Sequence, residues 1–382
     1  MEITNDIIYI GTDDTDIDLF EGQYAVPDGV SYNSYLIKDE KTAVMDTADK
    51  RRTGEWLKNL KNALAGGQPD YLIISHMEPD HSASLAALIA EYPEVTLVGN
   101  EKTFIIFDRF FPGVCAKRLV VSEGEKLSLG KHVLSFITAP MVHWPEVMFT
   151  YDNTDKVLFS ADAFGKFGAL SKGGEWTDEA RRYYFNIVGK YGIPVQGALK
   201  KVAPLEINVI CPLHGPVLKE NLGYYIGKYS LWSSYKPEDG GVVIAYASIY
   251  GNTAEAAEFL AESLRKEGVE TAVFDLARSE LSEVISSAFR YDRLVIASVT
   301  YDAEIFPAAE TFITELKAKK YQSRTVGIIE NGSWSPVAGK LIGSAFGAFK
   351  DITLAGTVTV KSSVTDETRE ELKVLAKQLA NK

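Results

Sequence analysis

The stretch Tyr71-Leu72-Ile73-Ile74-Ser75-His76-Met77-Glu78-Pro79-Asp80-His81 carries an apolar run of strand length straight into four side chains able to bind a metal. Four such ligands within six residues can converge only on a tight loop, and Pro79 helps to hold that turn. Three more candidates share this setting. His143 lies beyond the strand-like run 134–138, Asp162 follows 157–160, and His214 follows 207–211. Strand ends deliver side chains to one rim of a fold, so these four segments can build a single site. Each histidine by itself reads as an ordinary polar core or loop residue. Four of the chain's five histidines fall in these segments, beside carboxylates at loop positions, and that concentration indicates a metal centre. The fifth, in Gly130-Lys131-His132, has no such company and is read as exposed.

Charge sets the number of metals. Glu78, Asp80 and Asp162 supply three negative charges, and His76, His81, His143 and His214 are neutral ligands. Two divalent cations and a bridging hydroxide bring that set close to neutrality. One cation would leave buried carboxylate without a partner, which is costly. Mixed imidazole and carboxylate ligands suit iron, manganese or zinc alike.

Working outward, the chain has 382 residues, enough for two domains. The segment Lys236-Pro237-Glu238-Asp239-Gly240-Gly241 is polar and rich in breakers, and it precedes the apolar run 242–247. The expected domains are therefore 1–238 and 241–382. The first mixes short strands (34–38, 42–46, 71–75, 95–99, 133–138, 157–160, 207–211) with helices at 82–91 and 179–188. Sheets packed between helices fit that mixture. The second alternates strands (242–247, 271–274, 294–298, 325–330, 352–360) with helices such as 254–266, 308–319 and 366–379. Five strands joined by helices imply a parallel, doubly wound sheet with its ligand beyond the carboxyl ends of the strands.

Three loops lie at those ends. Ser248-Ile249-Tyr250-Gly251-Asn252-Thr253 is rich in hydroxyls and amides and enters a helix, an arrangement suited to phosphate. It matches neither the Walker pattern nor GxGxxG, which argues against nucleoside triphosphates and NAD. A plain helix cap by Asn252 or Thr253 is the simpler reading of this loop alone. Ser298-Val299-Thr300-Tyr301-Asp302-Ala303 and Asn331-Gly332-Ser333-Trp334 each combine small polar residues with one aromatic. Such loops can hydrogen-bond the edge of a flat ring and cover its faces, with Tyr301 and Trp334 as the flat contacts.

Composition excludes several classes. A net charge of -12 argues against nucleic-acid binding. The N-terminus lacks the basic head and apolar stretch of a signal peptide. No apolar run approaches the roughly 18 residues of a membrane span. Two cysteines, Cys115 and Cys211, give no disulfide framework and read as core or loop residues. The expectation is a soluble, cytoplasmic protein.

The order His76-x-Glu78-x-Asp80-His81, His143, Asp162, His214 resembles the diiron motif of flavodiiron proteins in the metallo-β-lactamase superfamily. Flanking residues are similar too, in His143-Trp144-Pro145-Glu146, Asp162-Ala163-Phe164-Gly165 and His214-Gly215-Pro216. Zinc hydrolases of that superfamily usually carry His at the place of Glu78. The resemblance implies an α/β fold with an N-terminal metallo-β-lactamase-like αββα sandwich and a C-terminal flavodoxin-like five-stranded parallel sheet. It implies two irons, one bound by His76, Glu78 and His143, the other by Asp80, His81 and His214, with Asp162 bridging. The three later loops resemble FMN-binding loops. Tyr250 replaces the Thr usual in flavodoxins, Val299 departs from a frequent Pro, and Asp302 departs from a frequent Asn, placing a negative charge near the flavin.

The resemblance further implies a flavodiiron oxidoreductase that reduces O2 to water, NO to N2O, or both. Electrons would pass through FMN from an external donor, rubredoxin or another reductase, because two cysteines cannot supply the four thiolates of a fused rubredoxin. A head-to-tail homodimer, or a dimer of dimers, would bring FMN of one subunit to the diiron site of the next. Two other readings stand beside it: a zinc-dependent hydrolase with a flavodoxin-like appendage, and an electron carrier whose metal site is only structural.

Overall fold

The computed structural model describes residues 1–381. The chain forms two compact units, Met1–Tyr184 with Tyr191–Ser230, and Phe185–Lys190 with Leu231–Lys382. This division falls inside the helix Leu222–Ser233, ahead of the 238/241 boundary expected from the breaker-rich segment. The residues just before that segment are anchored in the second unit. The Trp232 indole donates to Glu238, the Tyr235 hydroxyl donates to the Gly189 carbonyl at 2.8 Å, and Arg324 donates to the Tyr235 carbonyl at 2.7 Å.

The first unit is built on two sheets. One runs in chain order through Ile7–Tyr9, Tyr35–Ile37, Ala43–Met45, Tyr71–Ile73, Thr96–Gly99 and Lys117–Val120. The other takes Lys126–Ser128, Val133–Thr138, Met148–Asp152, Val157–Phe159 and Val209–Cys211. Ile37, Met45, Ile73 and Val98 of the first sheet share a buried core with Phe136, Met148, Phe159 and Cys211 of the second. Burying these faces against each other is the main stabilising term of the unit. Helices cover the outside, among them Thr53–Leu64, which buries Trp56 and Leu60. This is an αββα sandwich.

Two helical segments differ from the sequence reading. The helix expected over 82–91 is split into a single turn Pro79–Ser82 and the helix Leu85–Glu91. Pro79 occupies the first position of that turn, where its missing N–H costs nothing, so Asp80 and His81 sit on a helical turn rather than in an open loop. The helix expected over 179–188 is α-helical only through Trp176–Tyr183 and widens to a π-helical turn over Tyr184–Val188.

Strand direction fixes where the ligands emerge. Ala43–Met45 and Tyr71–Ile73 are parallel, so Asp46 and His76 leave at the same end. Val157–Phe159 and Val209–Cys211 are parallel as well, which sends Asp162 and His214 out together. His143 lies in the connection between the antiparallel strands Val133–Thr138 and Met148–Asp152.

The second unit has five parallel strands, Asp239–Tyr246, Thr271–Asp275, Tyr291–Tyr301, Arg324–Asn331 and Ile352–Val360. Their spatial order is second, first, third, fourth, fifth, the flavodoxin-like order. The direction of winding reverses between the first and third strands. A crevice opens at such a switch point, and the loops 248–253 and 298–303 border it.

His132 is not exposed. It is fully buried, with Nδ1 2.9 Å from Asp152 Oδ2 and Nε2 3.3 Å from Asp6 Oδ2. Both partners are far away in sequence, so nothing local to Gly130-Lys131-His132 reveals them. Burial alone would lower the histidine's pKa, but the contacts with Asp152 and Asp6 outweigh it and raise the pKa above the ordinary value. This stabilisation is complete below about pH 6.5, the unfolded-chain value, and is lost as pH rises through the raised folded value. We expect His132→Gln to cost about 1–3 kcal/mol at pH 6 and measurably less at pH 8.5, read from denaturant unfolding at fixed metal content. An equal loss at both pH values would show a neutral imidazole.

Candidate metal centre and ligand cavity

The first unit gathers all seven expected metal ligands. His76, Glu78, His143 and Asp162 present ligand atoms within 4.8 Å of one another, and so do Asp80, His81 and His214. In the first group Glu78 Oε2 lies 3.1 Å from His76 Nε2 and 3.0 Å from His143 Nε2. In the second, Asp80 Oδ2 lies 3.2 Å from both His81 Nε2 and His214 Nε2. Asp162 joins them. Its Oδ2 is 3.3 Å from His76 Nε2 and from His143 Nε2, and its Oδ1 is 3.3 Å from His81 Nε2 and 3.8 Å from His214 Nε2. One carboxylate thus offers one oxygen to each group.

The donor set fits cations. Both oxygens of Asp80 and both of Asp162 are buried with no hydrogen-bond donor on them. Burial opposes charge on His76, His81, His143, Glu78 and Asp162. The carboxylates still raise His76, His81 and His143, the last to about 9, while the histidines hold Glu78 and Asp162 well below the carboxylate range. Separations near 3 Å between donors are those of ligands sharing a cation about 2.1 Å away.

Residues behind the ligands fix their rings. His76 Nδ1 donates to Glu146 Oε1 at 2.8 Å, and the Met77 amide donates to the same oxygen. His214 Nδ1 donates to the Ser31 carbonyl at 2.7 Å. These bonds leave Nε2 of each ring free toward the site, as metal ligation requires. The carboxylate of Asp46 receives the Ser75 amide at 2.7 Å, and burial pushes its pKa up to about 6. Gly215 has φ +75, and a Cβ there would stand 2.7 Å from Lys166 Cγ, so the turn after His214 needs glycine. The roles of Asp46 and Ser31 were not legible in sequence. Glu146 stood out there only as a neighbour of His143, although a carboxylate three residues after a candidate ligand was a usable signal.

A cavity of about 500 Å³ leads to this centre, bordered by Glu78, Asp80, Phe20, Glu21, Tyr32 and Arg51 among others. None of the last four carries a signal in the sequence.

The second unit has a cavity of about 680 Å³ beyond its strand ends. Of the sixteen loop residues expected to bind FMN, fourteen line it: Ser248, Ile249, Tyr250, Asn252, Thr253, Val299, Thr300, Tyr301, Asp302, Ala303, Asn331, Gly332, Ser333 and Trp334. Gly251 and Ser298 do not. Gly251 caps the helix Asn252–Lys266 with φ 93, and the Ser298 hydroxyl accepts from the Phe306 amide at 3.3 Å. Ser335 and Ser362 also line the cavity; Ser362 follows the last strand, on a connection without a sequence signal of its own. Thr253 Oγ1 is buried and unpartnered at the helix N-terminus, where a phosphate oxygen would satisfy it. The Thr300 hydroxyl accepts from the Val337 and Ala338 amides at 2.9 and 3.1 Å, so it holds a neighbouring helix in place. Tyr250 and Trp334 are 91% and 92% exposed on the rim.

Residues 30–215 match the ODP family beta lactamase, and residues 243–336 match the flavodoxin domain. An uncharacterized protein of Methanocaldococcus jannaschii is 32% identical over 319 residues, covering 82% of this chain and 80% of its own length. The anaerobic nitric oxide reductase flavorubredoxin of Aliivibrio salmonicida is 29% identical over 349 residues, 88% of this chain and 70% of that protein. The rubredoxin oxygen:oxidoreductase of Desulfovibrio gigas superposes with a TM-score of 0.94 at 28% identity, over 100% of this chain and 98% of that one. Together with the two folds and the gathered ligands, these likenesses define the chain as a member of the flavodiiron protein family. Its cofactors are FMN and a diiron centre. No helix among the described residues is long and apolar enough to cross a membrane.

Glu146 gives the centre a direct test. Glu146→Gln keeps the size of the side chain but removes the charge that steadies the His76 imidazole. We expect a ten- to hundredfold loss of affinity for one of the two metals, read by chelator competition. Loss of both metals together, or of neither, would assign Glu146 no such role.

Proposed function

We propose that this protein reduces O2 to water, NO to N2O, or both, at the diiron centre of its first unit, with electrons supplied through FMN in the cavity of the second. The carrying observation is Asp162, whose two oxygens face two separate ligand groups. In this reading His76, Glu78 and His143 bind one iron, Asp80, His81 and His214 bind the other, and Asp162 bridges. Reduced FMN and a diferrous pair together hold four electrons, enough to take O2 to two waters, while two suffice to join two NO into N2O and one water.

The chain's own residues do the positioning. Glu146 and the Ser31 carbonyl orient His76 and His214 so that the Nε2 atoms converge. Thr253 and the amides at the start of Asn252–Lys266 are suited to the phosphate, and Tyr301 and Trp334 supply flat contact. Two relatives, one named a nitric oxide reductase and one an oxygen oxidoreductase, support the reaction class and leave the gas open. In this reading the electron donor is a rubredoxin or another reductase.

A zinc hydrolase reading is disfavoured by Glu78 in the ligand set and by a flavodoxin-like unit that hydrolysis does not need. Metal counts on anaerobically purified protein decide between them: about two irons are expected, and two zincs with no gas consumption would overturn the proposal. Side-by-side anaerobic turnover with O2 and NO, using one electron donor, then names the substrate. Equal rates would reject a dedicated role.

We further propose a head-to-tail homodimer that brings FMN of one subunit to the diiron site of the other. Variants forced to be monomeric are expected to keep both cofactors and lose turnover. Fully active monomers would sink this arrangement.

A further inference from the structure

Of the sixteen residues lining the cavity in the second unit, Asp302 is the only one with a formal charge. No lysine, arginine or histidine lines it, so a phosphate there is met by neutral hydroxyls and amides. Glu330, beside the lining residue Asn331, is turned away and satisfied: it accepts from the Gly339 amide and the Thr359 hydroxyl, both at 2.8 Å. Asp302 has no such partner. Its carboxylate makes no hydrogen bond or ion pair among the described residues.

The backbone holds this charge in place. Thr300 pairs with Ile305 and Tyr301 with Glu304, which leaves Asp302 and Ala303 as the two central residues of a tight hairpin. Both are left-handed, with φ 52 and 62. That geometry is the one two-residue hairpins favour, usually with Asn, Asp or Gly. Aspartate tolerates it and alanine does so at some cost, so the chain accepts conformational strain in a turn that places Asp302 at the cavity.

We propose that Asp302 sets the redox poise of the FMN bound in this cavity, by repelling the charge that reduction places on the flavin ring. This rests on the reading that FMN occupies the cavity. Oxidised isoalloxazine is neutral. Two electrons taken up with one proton leave one negative charge on it, and a fixed carboxylate on the wall disfavours that state alone. Reduced FMN is therefore held less tightly than oxidised FMN, its potential is lowered, and onward electron transfer is favoured.

The test is Asp302→Asn in the reconstituted holoprotein, since asparagine keeps the volume and the left-handed turn. Dissociation constants of oxidised and of reduced FMN are measured, with the flavin midpoint potential, at low and high salt and one pH. Glu304→Gln removes an equal charge two residues away, at a position that does not line the cavity. Asp302→Asn is expected to leave oxidised FMN within twofold and to tighten reduced FMN three- to tenfold. For this two-electron couple, that raises the midpoint by about 15–30 mV. The shift shrinks in high salt, and Glu304→Gln produces less than a third of it. Equal changes in both redox states, or an equal shift from Glu304→Gln, would overturn the inference while leaving FMN in its cavity. Failure of the unsubstituted protein to bind oxidised FMN would overturn the cavity reading itself, and this inference with it.

Discussion

Three carboxylates and four imidazoles share one buried pocket, and the fold around them has to answer for that charge. Asp162 is the strictest case, a fully buried carboxylate with one oxygen toward His76 and His143 and the other toward His81 and His214. Desolvating an anion costs several kcal/mol unless opposite charge is close. Protons on the histidines supply part of that charge, as the raised His76, His81 and His143 indicate. Two divalent cations supply it fully and without clashes between facing N–H groups, such as His81 Nε2 and His214 Nε2 at 3.0 Å. The electrostatics of the pocket therefore favour metal over any purely protonic state.

Convergence of this kind depends on the strands. Parallel pairing of Val157–Phe159 with Val209–Cys211 carries Asp162 and His214 out at one end, and parallel pairing of Ala43–Met45 with Tyr71–Ile73 does the same for Asp46 and His76. The turns beyond these strands are tight. Ala161 and Phe164 flank Asp162 with φ 49 and 69, conformations that side-chain-bearing residues adopt only when their surroundings require it. Local strain around Asp162 is offset by the core, where the two sheets bury their apolar faces against each other.

Much of this was legible in sequence because metal ligation is a side-chain property with few permitted residue types. Histidine and carboxylate at the ends of apolar runs announce themselves, and strand-to-helix alternation announces a doubly wound sheet. What stayed hidden depends on residues distant in the chain. His132 looked exposed because Asp6 and Asp152 are 126 and 20 residues away. Ser31, whose carbonyl steadies His214 from 183 residues off, is an unremarkable serine in sequence. The split after Ser82 and the π-helical turn Tyr184–Val188 were hidden for another reason: apolar periodicity does not record how a helix is interrupted. Thr300 illustrates a subtler limit. Its loop borders a cavity as the sequence suggests, yet its hydroxyl is already engaged by the Val337 and Ala338 amides.

The two units offer different terms for binding, and each fits a different kind of ligand. The first presents clustered carboxylates and imidazoles that are braced from behind, so cations can bind with little rearrangement. The second presents aromatic surface and a buried hydroxyl. Thr253 keeps a buried hydroxyl unsatisfied at a helix N-terminus, and Tyr250 and Trp334 hold their rings almost wholly in water. Each such ring presents roughly 150–250 Å² of surface, a poor use of aromatic side chains unless something flat lies against them. A phosphate and a planar ring joined in one molecule would satisfy that hydroxyl and cover those rings at once. Binding energy for such a cofactor then comes less from charge, which the cavity hardly offers, than from covering aromatic surface and satisfying amides already in position.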